Sequence, residues 1–215
     1  MTPPLHVAAP APGDRPLLRD LLRPPPTVQA PFTPAALGAS PLAWATLLRD
    51  GDIVEIRPGF AVTPGTPVTA GLRALALAHL VPTGAVVGRA SAVWVHTGRG
   101  HRPRVCVLYA PGGHRPRDPA RLEACQATVR RWEIVSVAAG GDRSLPVTTL
   151  TRTAMDVATW YPDQESAELL AYLMDAGLDV DDALHRLDLV ASWRGAETAR
   201  ARLLAVRRAR RAWSR

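Results

Sequence analysis

Two cap–proline pairs, each closed by a glycine, constrain residues 33–51 more than any other feature of the chain. Thr33 and Ser40 are good N-caps, and Pro34 and Pro41 follow at the first helical positions. Gly38 and Gly51 mark the stops. The pattern predicts a very short helix over Pro34–Leu37 and a second helix from Pro41, with Leu42, Trp44, Ala45, Leu47 and Leu48 at helical spacing. Ile53-Val54-Glu55-Ile56-Arg57 then alternates, Pro58-Gly59 turns, and Phe60-Ala61-Val62 returns as a hairpin. Helix, tight turn, helix, hairpin is the order of a winged helix-turn-helix. A helical hairpin with a β-ribbon and no ligand fits the same pattern.

The rest of the chain reads as α+β. Residues 1–31 form a proline-rich arm, with one short helix over Pro16–Arg23 ended by Pro24-Pro25-Pro26. The head spans 32–66 and a mixed α/β domain spans 67–215. In that domain a buried helix is predicted over 68–82, a strand at Ala85–Val87 and a helix from Ser91. A strand Arg104–Tyr109, a short helix Pro119–Cys125 and strands at Glu133–Val137 and Leu145–Thr148 follow. A helix capped by Thr151 comes next, then closing helices over about 164–176, 180–191 and 196–213.

Charge narrows the chemistry. All 26 basic residues are arginine. Without lysine the chain has no Schiff base, no P-loop lysine and no lysine of a restriction-type nuclease. No Gly-x-Ser-x-Gly elbow occurs, so an enzyme is not expected. His96, His101, Cys106, His114 and Cys125 fit no compact zinc spacing, Cys106 reads as core, and no metal or cofactor is expected. The net charge of +7 suits a polyanionic partner. It is unevenly spread: residues 1–66 are neutral, 67–160 carry +7, 161–199 carry −7 and 200–215 carry +7. No apolar run approaches the ~20 residues that span a bilayer. The N-terminus lacks the pattern of a secretory signal, and two cysteines suit a reducing compartment, so a cytoplasmic location is expected.

Three phrases carry a family resemblance. LLRDGDIVEIRPGFAV resembles the recognition-helix end and wing of the AbiEi-type antitoxin head. GRASAVWVH resembles the segment that opens the central domain of actinobacterial members, and VTTLTRTAMDVA that domain's Thr-Arg-Thr-Ala-x-Asp-x-Ala segment. The resemblance spans about residues 33–206. It implies a winged-helix head, an α+β antitoxin domain and a neighbouring nucleotidyltransferase-like toxin, countered without a stable complex in a type IV system. It also implies repression of the protein's own promoter through double-stranded DNA. Some relatives carry a C-terminal endonuclease-like domain, which is expected to be absent after RRARRAWSR.

Candidate site residues follow. In the head, Ser40 and the helix N-terminus would hold phosphate, Thr46 and Arg49 would face DNA, and Arg57 would reach the minor groove or backbone. The competing reading makes Ser40 a cap and the arginines solvated. HRPR occurs at 101–104 and 114–117, so Arg99, Arg102, Arg104, Arg115 and Arg117 would form a basic rim, or two solvated loops. Thr151, Arg152 and Asp156 are either a structural cap and ion pair or an antitoxin surface. The arginine-rich tail helix either docks on the acidic 161–199 stretch or meets a partner. The leading function is an antitoxin and autorepressor, with a homodimer on DNA left open. The alternative is a protein–protein interaction module whose head does not bind DNA, suggested by that head's zero net charge and by prolines where its first helix would run.

Overall fold

The computed structural model describes residues 31–112, 118–140, 142–190 and 193–213. The expected arm and its Pro16–Arg23 helix lie outside the described residues, as do His114, Arg115 and Arg117.

The N-terminal elements form where the caps and stops place them. Helix α1 is Pro34–Leu37; the Thr33 side chain accepts from the Ala36 N–H at 3.1 Å and Gly38 ends it in the left-handed region at φ 59°. Helix α2 is Pro41–Asp50; Ser40 accepts from the Ala43 N–H at 3.2 Å and Gly51 ends it at φ 81°. Strands β1 (Val54–Arg57) and β2 (Phe60–Val62) pair antiparallel. Phe32 bridges to Ala61 on the other edge of β2, the two exchanging backbone hydrogen bonds of 2.7 and 2.9 Å. Trp44, Ile53 and Ala61 make a small core, closed by Phe32, Leu47 and Leu48.

The body is a mixed five-stranded sheet with helices. After α3 (Ala70–Ala78) come β3 (Val86–Val87), α4 (Arg89–Thr97), β4 (Val105–Tyr109), β5 (Leu122–Gln126), β6 (Ile134–Ala138) and β7 (Ser144–Thr148). Helices α5 (Leu150–Trp160), α6 (Asp163–Asp175), α7 (Val180–Leu189) and α8 (Ala196–Trp213) follow. The sheet order is β5-β4-β3-β7-β6, with β4/β5 and β3/β7 parallel and the outer β6/β7 pair antiparallel. One core lies among the sheet, α3 and α4, around Leu77, Val87, Trp94, Val107 and Val147. A second lies among α4–α8, around Val93, Met155, Leu170, Leu173, Leu187 and Leu203. Helix α4 serves both: Ala90 and Val93 enter the helical core, Ala92, Trp94 and Val95 the sheet core.

Head and body belong to one unit, Pro31–Arg215. Phe60 of the hairpin is buried in the sheet core.

The architecture is α+β, with one element misread. Pro119–Cys125 is not a helix: Leu122–Gln126 is β5, paired parallel with β4 along its whole length. Its Arg-Leu-Glu-Ala composition favours a helix locally. Ladder bonds to β4 and burial of Leu122 against the sheet outweigh that preference. Thr151 is also not a cap. Thr149 caps α5 by accepting from the Arg152 N–H at 3.3 Å, and Thr151 instead donates its hydroxyl to Asp182 at 2.9 Å.

Candidate nucleic-acid interface

The exposed face of α2 presents Leu42, Ala45 and Arg49, while Thr46 is half-buried. Ser40 is exposed with its oxygen engaged in capping. Arg49 projects to solvent and pairs with Asp50 at 2.9 Å. Asp52 and Glu55 are exposed too, and Glu55 accepts from the Trp44 indole N–H at 3.3 Å and the Gly59 N–H at 2.9 Å. The surface over 40–57 is therefore apolar to acidic.

Arg57 does not project as a wing contact, which corrects the expectation. It is buried; its Nη2 donates to the Pro103 carbonyl at 3.1 Å and its Nη1 lies 3.3 Å from His101 Nε2. An arginine N–H only donates, so His101 Nε2 accepts there and the ring is neutral. Burial, then the Arg57 charge, hold His101 below the usual histidine range. The side chain was long enough to turn inward and pin the hairpin to the loop before β4.

Two of the three described rim arginines are already paired. Arg99 pairs with Asp175 at 3.3 Å and stacks on Tyr172, and Arg102 pairs with Glu165. Both partners lie on α6. Arg104 is exposed at the start of β4. The tail behaves alike. On α8, Arg200 meets Asp188, Arg202 meets Asp163 at 2.6 Å, Arg207 meets Asp181 and Arg210 meets Asp175 at 3.5 Å. Most of the described tail arginines thus meet acids of the 161–199 stretch, while Ala199 and Leu203 seat the helix's apolar strip in the helical core.

The Thr151–Arg152–Asp156 motif is internal. Arg152 donates from Nε to Asp156 at 3.1 Å, from Nη1 to Glu133 at 2.9 Å and to the Thr128 carbonyl at 2.8 Å, and its face lies over Trp193. Arg152 and Asp156 are each 3% exposed at the side chain. Burial raises the Asp156 carboxyl, and Arg152 opposes the rise. The motif therefore ties α5 to the start of β6 through a buried ion pair. Sequence reasoning found its i,i+4 pair and missed Glu133, which only the fold brings near.

It also missed a cluster across β4 and β5. The ligand atoms of Cys106, Glu123 and Cys125 lie within 4.8 Å of one another. Residues 106 and 123 face each other in the parallel register, and 125 follows 123 on the same face. Reading β5 as a helix hid this. Arg89 Nη1 sits 3.4 Å from Glu123, so the cluster already has a cation beside it. The Cys106 hydrogen bond, then Arg89, bring Cys125 down to about 7 against the opposing pull of burial, while the thiol of buried Cys106 is pushed up.

No protein-family model matches the chain, and no curated protein does. Among solved structures, the crystal structure of the RV2827C protein from Mycobacterium tuberculosis aligns at 18% identity, covering 82% of this chain and 75% of that one, with a TM-score of 0.33. So loose a superposition carries no argument about function. Among the described residues, no helix is long and apolar enough to cross a membrane.

Proposed function

We propose that the chain is a non-enzymatic regulator: the antitoxin and autorepressor of a type IV toxin–antitoxin system, whose head docks on its own promoter. One observation carries the reading. A capped helix, a tight Gly-Ala turn, a second capped helix and a hairpin follow one another within residues 33–62, with the second helix exposed along one face. The resemblance of residues 33–206 to AbiEi-type antitoxins supplies the system and a nucleotidyltransferase-like toxin as its functional partner. Ser40, Thr46 and Arg49 remain the contact candidates; Arg57 supports the hairpin behind them.

A gel shift with DNA from upstream of the gene tests the repressor half. The expected result is a salt-sensitive complex that Arg49→Glu weakens. No complex even at low salt overturns it. Co-expression with the adjacent reading frame tests the antitoxin half, which predicts rescue of growth.

A second reading rests on charge. Around α2 and β1, Asp50, Asp52 and Glu55 outnumber the one projecting cation, Arg49. Such a surface suits a protein partner better than phosphate. On that reading the head is a protein–protein interaction module, and growth rescue persists with no gel shift.

A further inference from the structure

A hollow of about 290 Å³ opens where the end of β5, α5 and the turn before α8 meet. Three features set it apart from the rest of the surface. First, it concentrates guanidinium–indole stacks. Two of the four guanidinium–ring stacks among the described residues line it whole, Arg89 over Trp160 at 5.0 Å and Arg152 over Trp193 at 4.8 Å, and Arg130, which stacks on Trp132 outside it at 5.3 Å, lines it as well. Trp160 is 46% exposed, so an indole remains open to a planar ligand.

Second, two of its cations stand together without an acidic partner, unlike most of those on α8. On α8 and in the rim, arginine after arginine meets an aspartate or glutamate. In the hollow the two lining acids, Glu133 and Asp156, are both held by Arg152. Arg130 and Arg194 line the same hollow, are exposed, and have no ion pair among the described residues. Positive charge is left over here.

Third, Arg89 is strained and incompletely satisfied. It has φ 53°, the one non-glycine residue with positive φ among the described residues. Its Nε is buried with no hydrogen-bond partner. A buried donor without an acceptor is costly, and strain of this kind persists where the surroundings impose it, often at ligand sites.

The geometry points to a nucleotide-binding site in this hollow, with the phosphate between Arg130 and Arg194 and the base against the Trp160–Arg89 stack. The class follows from the residues. Guanidinium forks bind phosphate oxygens bidentately, and indole and guanidinium faces bind a flat heterocycle. The volume is at the small end for ligand pockets, which suits a mononucleotide rather than a longer strand. The site is independent of whether the head binds DNA.

Calorimetric titration of the full chain with adenosine monophosphate, inorganic phosphate and adenosine tests it. The nucleotide is expected to bind roughly tenfold more tightly than either fragment. Arg130→Ala combined with Arg194→Ala should reduce the nucleotide to the affinity of adenosine without moving the melting temperature, since both side chains are exposed. Arg208→Ala combined with Arg211→Ala on α8, the same loss of two charges, should leave binding unchanged; Trp160→Leu should reduce the nucleotide to the affinity of phosphate. Equal binding of phosphate and nucleotide, binding indifferent to the Arg130 and Arg194 changes, or no binding at millimolar nucleotide overturns the site.

Discussion

His96 shows how one side chain couples the helices to the sheet. It lies on the last turn of α4, is half-buried, and its Nε2 is 2.8 Å from the Thr148 carbonyl at the end of β7. A carbonyl only accepts, so Nε2 carries the proton and the neutral ring keeps the bond. Burial holds the His96 pKa below 6.5; the Thr148 bond opposes this and the Arg73 charge adds to it. His79 and His101 are lowered too, burial being the main cause in each. The sign follows from linkage. Below 6.5 the unfolded chain takes up protons that the folded chain refuses, so this stability is complete above 6.5 and is lost as pH falls through the folded values. The urea midpoint is therefore expected to drop as pH is lowered from about 7 towards 5. His96→Gln should flatten that dependence, and an unchanged slope in the variant would contradict the assignment.

At the scale of the element, α8 poses the question of whether charge or burial holds it. Its ion pairs are many, but the arginines and their aspartates are largely solvent-exposed. Exposed pairs contribute roughly 0–1 kcal/mol each and are screened by salt. Leu203 and Ala199 are fully buried in the helical core. Leu203→Ala is expected to cost about 2–5 kcal/mol, and Arg207→Ala under about 1 kcal/mol. Denaturant unfolding of the two variants checks the order; a larger loss from Arg207→Ala would mean that charge anchors the helix. On this view the aspartates set where the helix lies, and the leucine sets how firmly.

Across the whole molecule, the buried ties between hairpin and body argue for one cooperative unit. Phe60 is shared with the sheet core, and Arg57 binds the loop before β4. Calorimetry of the full chain is expected to give a single transition for residues 31–215, and Phe60→Ala should shift all of it, by about 3–5 kcal/mol. Two transitions, with only the smaller one shifted, would show an independently folding head. The same integration limits how the +7 charge can act. Two rim arginines and most of the described tail arginines meet acids of the 161–199 stretch, while exposed Arg104, Arg130 and Arg194 have no ion pair among the described residues.

The residues alone determined the local events: where α1 and α2 start and stop, the Pro-Gly hairpin turn, the i,i+4 pairing of Arg152 with Asp156, and opposite charge blocks able to meet. Each depends on neighbours within a turn or two, or on a sum over a segment, so each is written in the order of the chain. Tertiary structure decided the rest. Leu122–Gln126 became a strand because β4 offered it a ladder. Arg57 turned inward because a carbonyl 46 residues away was within reach. Glu133 joined Arg152, Cys125 joined Cys106, and the Arg89–Trp160 and Arg152–Trp193 stacks came to line one hollow, all through contacts between segments far apart in sequence. A guanidinium reads the same in sequence whether it meets water, aspartate or indole, and only packing chooses among them.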